Sequence, residues 1–423
     1  MTLFDGLIIN RKDKIVFLVG CFSTFYVNII GRVYVGELII FLIYLFLPQA
    51  RISLPKNIKI ISNLLYFWLI SAIISDLWNQ TPLVDMIKGM TSILFLIVLL
   101  PFAYWALYDR LSRWMVFYLG TIISSQLTYY LITSQTAFGS TDIWRIYSYS
   151  PLITGLAVYL YWKGRFKLSY ITFILLGFWI LFNGSRNVFI TCSFTVIILY
   201  TIDKYLRYDI IDQFAIYRHR TGTLIIVILI GLVAVDNVYE SLASNGTLGE
   251  EAYKKYIKQS TSSLGLASGR IEAIMDADLI SKSPIIGYGS YAKDRTSYVR
   301  NFYIKHHIPF NPSTFDRDEN SVENMLPRHS RIGGLWMWHG IGAGVFWIYI
   351  LFLIFRTFKT GAFLIEPKLI GLCIFTMMTE VWDIFFSIMS VRLPLLFLIV
   401  FLILIYQKYK DLEEDCIYEY DTL

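Results

Sequence analysis

The sequence predicts an all-α, polytopic transmembrane bundle of about twelve spanning helices, with one large extracytoplasmic loop between helices nine and ten. Three observations carry this. The chain has 423 residues, 56% hydrophobic and only 16% charged, against about 25% charged in a soluble domain. Apolar stretches near the length of a membrane crossing recur from residue 15 to residue 406 with short polar breaks, and a crossing helix needs about 20 such residues. The basic residues fall unevenly on alternate connections between those stretches.

In order, the expected spans are 15–30, 33–48, 58–76, 83–107, 114–133, 147–162, 168–183, 186–203, 222–240, 334–355, 366–386 and 392–407. The first follows Arg11-Lys12-Asp13-Lys14 in the manner of a signal peptide, but no small-residue cleavage site follows and Arg32 leads into the next apolar run, so it reads as an uncleaved helix. This divides the chain into helices one to nine (1–240), an extracytoplasmic loop with an amphipathic helix (241–333), helices ten to twelve (334–407) and a cytoplasmic tail (408–423).

With the N-terminus cytoplasmic, one set of connections carries 20 Lys and Arg, whereas the short connections opposite carry only Arg32, Arg145, Arg186 and Arg392. The positive-inside rule then puts both termini in the cytoplasm and the loop outside, where long loops translocate whatever their charge. The net charge of +6 is this orientation signal. It is scattered rather than gathered on one face, so no nucleic-acid partner is expected. The four cysteines, Cys21, Cys192, Cys373 and Cys416, fall in predicted helices or the tail, leaving the loop without a disulfide framework.

Inside the loop, Ile271, Ile274, Met275 and Leu279 recur at helical spacing after Ser268-Gly269-Arg270. That pattern predicts an amphipathic helix over 271–282 with Ser268 as its N-cap, ended by Pro284 and the Gly287-Tyr288-Gly289 turn.

Three polar blocks stand apart from lipid-facing filler, all on the predicted outer face. In Asn183-Gly184-Ser185-Arg186-Asn187, an external arginine opens a helix, where it opposes the macrodipole. It either snorkels to headgroups or faces substrate, since its fork suits phosphate oxygens. Ser268-Gly269-Arg270 is the second block; alone, its arginine would pass for a solvated surface residue. The third is Arg328-His329-Ser330-Arg331, in which His329 is the best general-base candidate, against an interfacial helix anchor. His339, deeper, reads as packed or hydrogen-bonded, and no Cys/His spacing suits a metal, so neither zinc nor any other cofactor is expected.

Charges inside spans are costly and usually functional. Asp85 and Lys88 can satisfy each other, whereas Glu37, Glu380 and Asp383 have no local partner. Glu380, Asp383 and Arg392 lie toward the outer ends of the last two helices and are expected to line a common cavity. Arg328, Arg331, Glu323, Asp383 and Arg392 are the supporting candidates.

The blocks Gly184-Ser185-Arg186, Ser268-Gly269-Arg270 with its Ser-Pro-Ile-Ile-Gly-Tyr-Gly ending, and His329-Ser330 with Gly340 eleven positions on resemble, in order and setting, the O-antigen polymerase and O-antigen ligase superfamily. The resemblance covers about 184–354. It departs in Ser330, where ligases commonly have asparagine, and in Asn187, where a small residue is frequent. It implies a GT-C-like, metal-independent, inverting glycosyltransferase of the bacterial cytoplasmic membrane, with an undecaprenyl-diphosphate-linked glycan as donor and membrane lipid as its medium. By that resemblance Arg186 and Arg270 bind the diphosphate, His329 deprotonates the attacking hydroxyl, and a chain-length regulator protein is a candidate partner. A polymerase extends a lipid-linked repeat unit; the alternative, a ligase, transfers the glycan to lipid A core. A secondary transporter is the competing class, although no internal repeat is visible.

Overall fold

The computed structural model describes residues 7–8, 10–28, 32–46, 53–135, 150–182, 186–205, 271–307, 325–326, 330–387 and 391–421, with scattered positions between 217 and 257. Among these there are fourteen α-helices: α1 (Arg11–Cys21), α2 (Val35–Phe46), α3 (Lys56–Trp78), α4 (Leu83–Leu107), α5 (Arg113–Gln135), α6 (Ser150–Trp162), α7 (Phe166–Phe182), α8 (Arg186–Tyr205), α9 (Ile271–Lys282), α10 (Tyr298–Lys305), α11 (Arg331–His339), α12 (Ile341–Thr360), α13 (Ile370–Phe386) and α14 (Arg392–Asp421). Strands β1 (Tyr26–Asn28) and β2 (Arg32–Tyr34) form one antiparallel hairpin.

The all-α reading therefore holds. Among the described residues, five helices are long and apolar enough to cross a membrane: Lys56–Trp78, Leu83–Leu107, Ile341–Thr360, Pro367–Phe386 and Arg392–Asp415. Val35–Phe46 and Phe166–Leu181 are apolar but shorter. Side chains such as Phe46, Ile70, Leu77 and Leu175 stand exposed on their outer faces, as lipid-facing positions do, while one core cluster draws on residues from Leu7 to Tyr409.

Three expected spans take a different form. The first is an 11-residue helix, because the chain turns at Ser23, whose hydroxyl donates to the Gly20 carbonyl, and enters the β1–β2 hairpin. The tenth is split at Gly340 into α11 and α12. The twelfth runs on through the expected tail as α14. Most of the ninth, 222–240, lies outside the described residues.

Helix ends sort into two polar levels. At one, Asp13 is buried against Arg110 and Arg113, Lys12 meets Asp109, Asn57 bonds Gln407 and Lys408 bonds Glu366. At the other, Arg392 meets Glu37, Ser290 meets Asp76 and Arg331 meets Glu380 and Asp383. Helices α3, α4 and α14 each run from one level to the other.

Candidate functional site

The second polar level is organised around a broken helix. Ser330 caps α11 by accepting from the N–H groups of Gly333 and Gly334, and α11 ends at Gly340, whose backbone takes φ 70°. A break leaves carbonyls without intrahelical donors, and such groups are tolerated at membrane depth only when buried in protein or lining a cavity. Here the loop after α9 supplies the donors: Tyr288 N–H bonds Met337 O at 2.8 Å and Gly289 N–H bonds Trp338 O at 2.9 Å. Ser75 and Ser71 of α3 donate to Trp338 O and His339 O. Ile341 N–H returns a bond to Ile285 O. The segment Pro284 to Gly289, expected only to end a helix, is thus the seat of the helix break, and a Cβ on Gly340 would come within 2.0 Å of Ile285 O.

Below this seam lies a chain of four buried side chains. The Trp68 indole N–H donates to His339 Nδ1 at 3.0 Å, and His339 Nε2 lies 3.0 Å from Ser290 Oγ. Ser290 Oγ donates to Asp76 Oδ2 at 2.9 Å and its N–H to Asp76 Oδ1 at 2.5 Å. Indole is a donor only, so Nδ1 must accept and the neutral imidazole carries its proton on Nε2, aimed at the serine. The expectation that His339 is hydrogen-bonded is met. Asp76 and Ser290 were not anticipated, although a lone aspartate near the end of an apolar helix was a readable signal.

Block three is tied outward in two directions. Ser330 Oγ donates to Asp276 Oδ2 of α9 at 2.9 Å, and the buried Arg331 bonds Glu380 and Asp383 of α13. The partners that Glu380 and Asp383 lacked in sequence thus come from Arg331. Arg392 does not join them as expected: it is paired by two bonds with Glu37 and also donates to Arg32 O. The shared cavity is corrected accordingly. Arg392, Lys88, Ser92 and His339 border a water-sized cavity of about 40 Å³ with Trp68 and Tyr291, which Glu380 and Asp383, bonded to Arg331, do not line. Lys88 and Asp85 approach to 3.6 Å, the mutual pairing expected.

Of the first-ranked residues, Arg270 and His329 lie outside the described residues, as do Arg328 and Glu323. Their neighbours Ile271 and Ser330 are buried. Arg186 opens α8, its side chain outside the described set. The level of that helix start follows from its surroundings: the end of α8 (Asp203) bonds Tyr161, and Tyr161 packs on Gly371 at the start of α13. Helix α8 thus runs alongside α13, and its start lies toward the end of α13 that carries Glu380 and Asp383.

In α9, present with the expected bounds, Lys282 and Tyr298 donate to Asp278, both at 2.6 Å, and hold its carboxyl below the ordinary carboxylate value. The Tyr298 hydroxyl is pushed up by burial and by that carboxylate.

No protein-family model matches the chain, and no curated protein matches it.

Proposed function

We propose that the protein is a glycan polymerase of the cytoplasmic membrane, joining repeat units carried on undecaprenyl diphosphate. The observation that carries this reading is the Ser330–Asp276 bond, which fastens the block containing His329 to the loop helix that follows Arg270. The level of the Arg186 helix start adds the third block to the same end of the bundle. In this reading that end is extracytoplasmic, the remaining spans complete a bundle of about twelve, and both termini are cytoplasmic.

The chemistry needs no nucleotide or metal. His329 accepts the proton of the acceptor hydroxyl, whose oxygen attacks the anomeric carbon of the donor sugar from the face opposite the carrier. One C–O bond forms as the C–O bond to the diphosphate breaks, inverting the centre, and undecaprenyl diphosphate departs with the electron pair. Arg186 and Arg270 bind that diphosphate and stabilise its growing charge. The polyprenyl tail stays in lipid beside the bundle, and Arg331, held by Glu380 and Asp383, keeps block three in register. A chain-length regulator would act on the same outer end.

The test is complementation of a gene deletion in the native host by wild type or by Arg186→Ala, Arg270→Ala and His329→Ala at matched membrane levels, with the surface glycan resolved on a gel. The proposal expects loss of the ladder, with a single repeat still attached to its anchor, in the deletion and in all three variants. Long lipid-linked chains accumulating without surface attachment would make the protein the ligase instead. An unchanged ladder would remove the glycan reading.

A further inference from the structure

At the polar level remote from His339, α12 and α14 diverge around a surface cavity of about 440 Å³, within the range of small-ligand sites. Arg356 lines it. The guanidinium sits 3.7 Å above the Tyr406 ring and 5.5 Å from that of Phe352. Among the described residues it makes no hydrogen bond and no ion pair, and its Nε is shielded from solvent without an acceptor. Lys359 rises from the same helix three residues on and borders the same cavity. The one carboxylate on the cavity among the described residues, Glu413, is already engaged by Lys410 and by the Tyr409 hydroxyl.

Stacking on Tyr406 takes up one face of the guanidinium and leaves its N–H edge for an anion, a geometry that suits phosphate oxygens. The wall beside it is apolar: Phe352 and Phe355 stand half exposed on a helix long and apolar enough to cross a membrane. A ligand filling this cavity must therefore present an anionic head to Arg356 and Lys359 and an apolar body to the phenylalanines. Basic residues near a membrane surface attract anionic headgroups with about 1 kcal/mol each, or roughly fivefold in affinity.

We propose that this cavity binds the phosphodiester headgroup of an anionic membrane phospholipid, with Arg356 and Lys359 as its anion ligands. Soluble phosphate shares that chemistry but makes no use of the apolar wall. The test is native mass spectrometry of the full-length chain in detergent with phosphatidylglycerol or phosphatidylcholine added at equal concentration. Phosphatidylglycerol should be retained preferentially, and Lys359→Gln and Arg356→Gln should each reduce its retention about fivefold. Lys359 is exposed, so its variant carries the test even if loss of Arg356 disturbs folding. Equal retention of the two lipids, unchanged retention in Lys359→Gln, or displacement of the lipid by millimolar inorganic phosphate would each overturn the proposal. None of these readouts depends on the glycan assay.

Discussion

The hydroxyl of Ser330 donates a 2.9 Å bond to Asp276 while accepting the first free N–H groups of α11. One side chain thus caps the helix that carries His339 and ties it to α9. Losing a cap and a buried hydrogen bond together costs about 1–3 kcal/mol. Ser330→Ala should lower the unfolding midpoint in detergent, followed by tryptophan fluorescence, and under the proposed function reduce glycan transfer with it. An unchanged midpoint would show that the two helices are held by other contacts.

Gly340 adopts φ 70° with Ile285 O where a side chain would begin. A Cβ there meets backbone, which cannot step aside, so Gly340→Ala must displace the Pro284–Gly289 seam or refuse the break. The expectation is poor membrane accumulation and a chain more readily cut by protease between α9 and α10 than wild type. Normal accumulation with wild-type protease resistance would mean that the break is tolerant of a side chain.

The His339 tautomer is open to direct measurement. With Trp68 donating to Nδ1, nitrogen NMR of histidine-labelled protein should report a ring protonated at Nε2 near neutral pH, and Trp68→Phe should release that preference. A ring protonated at Nδ1 in the wild type would contradict the hydrogen-bond chain. Gly89→Ala probes the same chain from α4, since its Cβ would fall 2.0 Å from Ser290 Oγ; the signal of His339 should shift as the serine moves.

Glu37 is fully buried, takes two bonds from Arg392 and a third from the Tyr34 N–H. Removing one member of a buried pair leaves the other charge uncompensated, at about 3–5 kcal/mol. Glu37→Gln and Arg392→Met should each destabilise strongly, and the double variant should lose less than the sum. Strict additivity in thermal unfolding would show that the pair is not coupled.

The segment from α9 to α10 carries a pH dependence. The carboxyl of Asp278 is held below its ordinary value by Lys282 and then by Tyr298, so the unfolded segment takes up a proton more readily than the folded one. Its contribution is therefore complete above the unfolded value of about 3.9 and fades as pH falls through the folded value. Because the side chain is 38% exposed, solvent screening keeps this contribution small. Pepsin cleavage within 271–305 should rise below about pH 4 in wild type, and Asp278→Asn should flatten that rise. Equal pH profiles would place the acid sensitivity elsewhere.

What the sequence determined by itself is periodic and compositional. Apolar runs of crossing length predicted α3 and α4 within two residues of their ends, the helical spacing of Ile271, Ile274, Met275 and Leu279 predicted α9, and Asp85 with Lys88 declared their own pairing three residues apart. These signals are local, because a helix closes its hydrogen bonds within four residues. Tertiary structure decided the pairings that span the chain: Glu37 with Arg392 across 355 residues, Asp76 with Ser290 across 214, and Arg331 with Glu380 and Asp383. It also decided where an apolar run would break, since the carbonyls freed at Gly340 are stable only because Tyr288, Gly289, Ser71 and Ser75 arrive from elsewhere to bond them. A buried charge or an unpaired carbonyl announces in sequence that a partner is needed; which residue answers depends on how the helices pack.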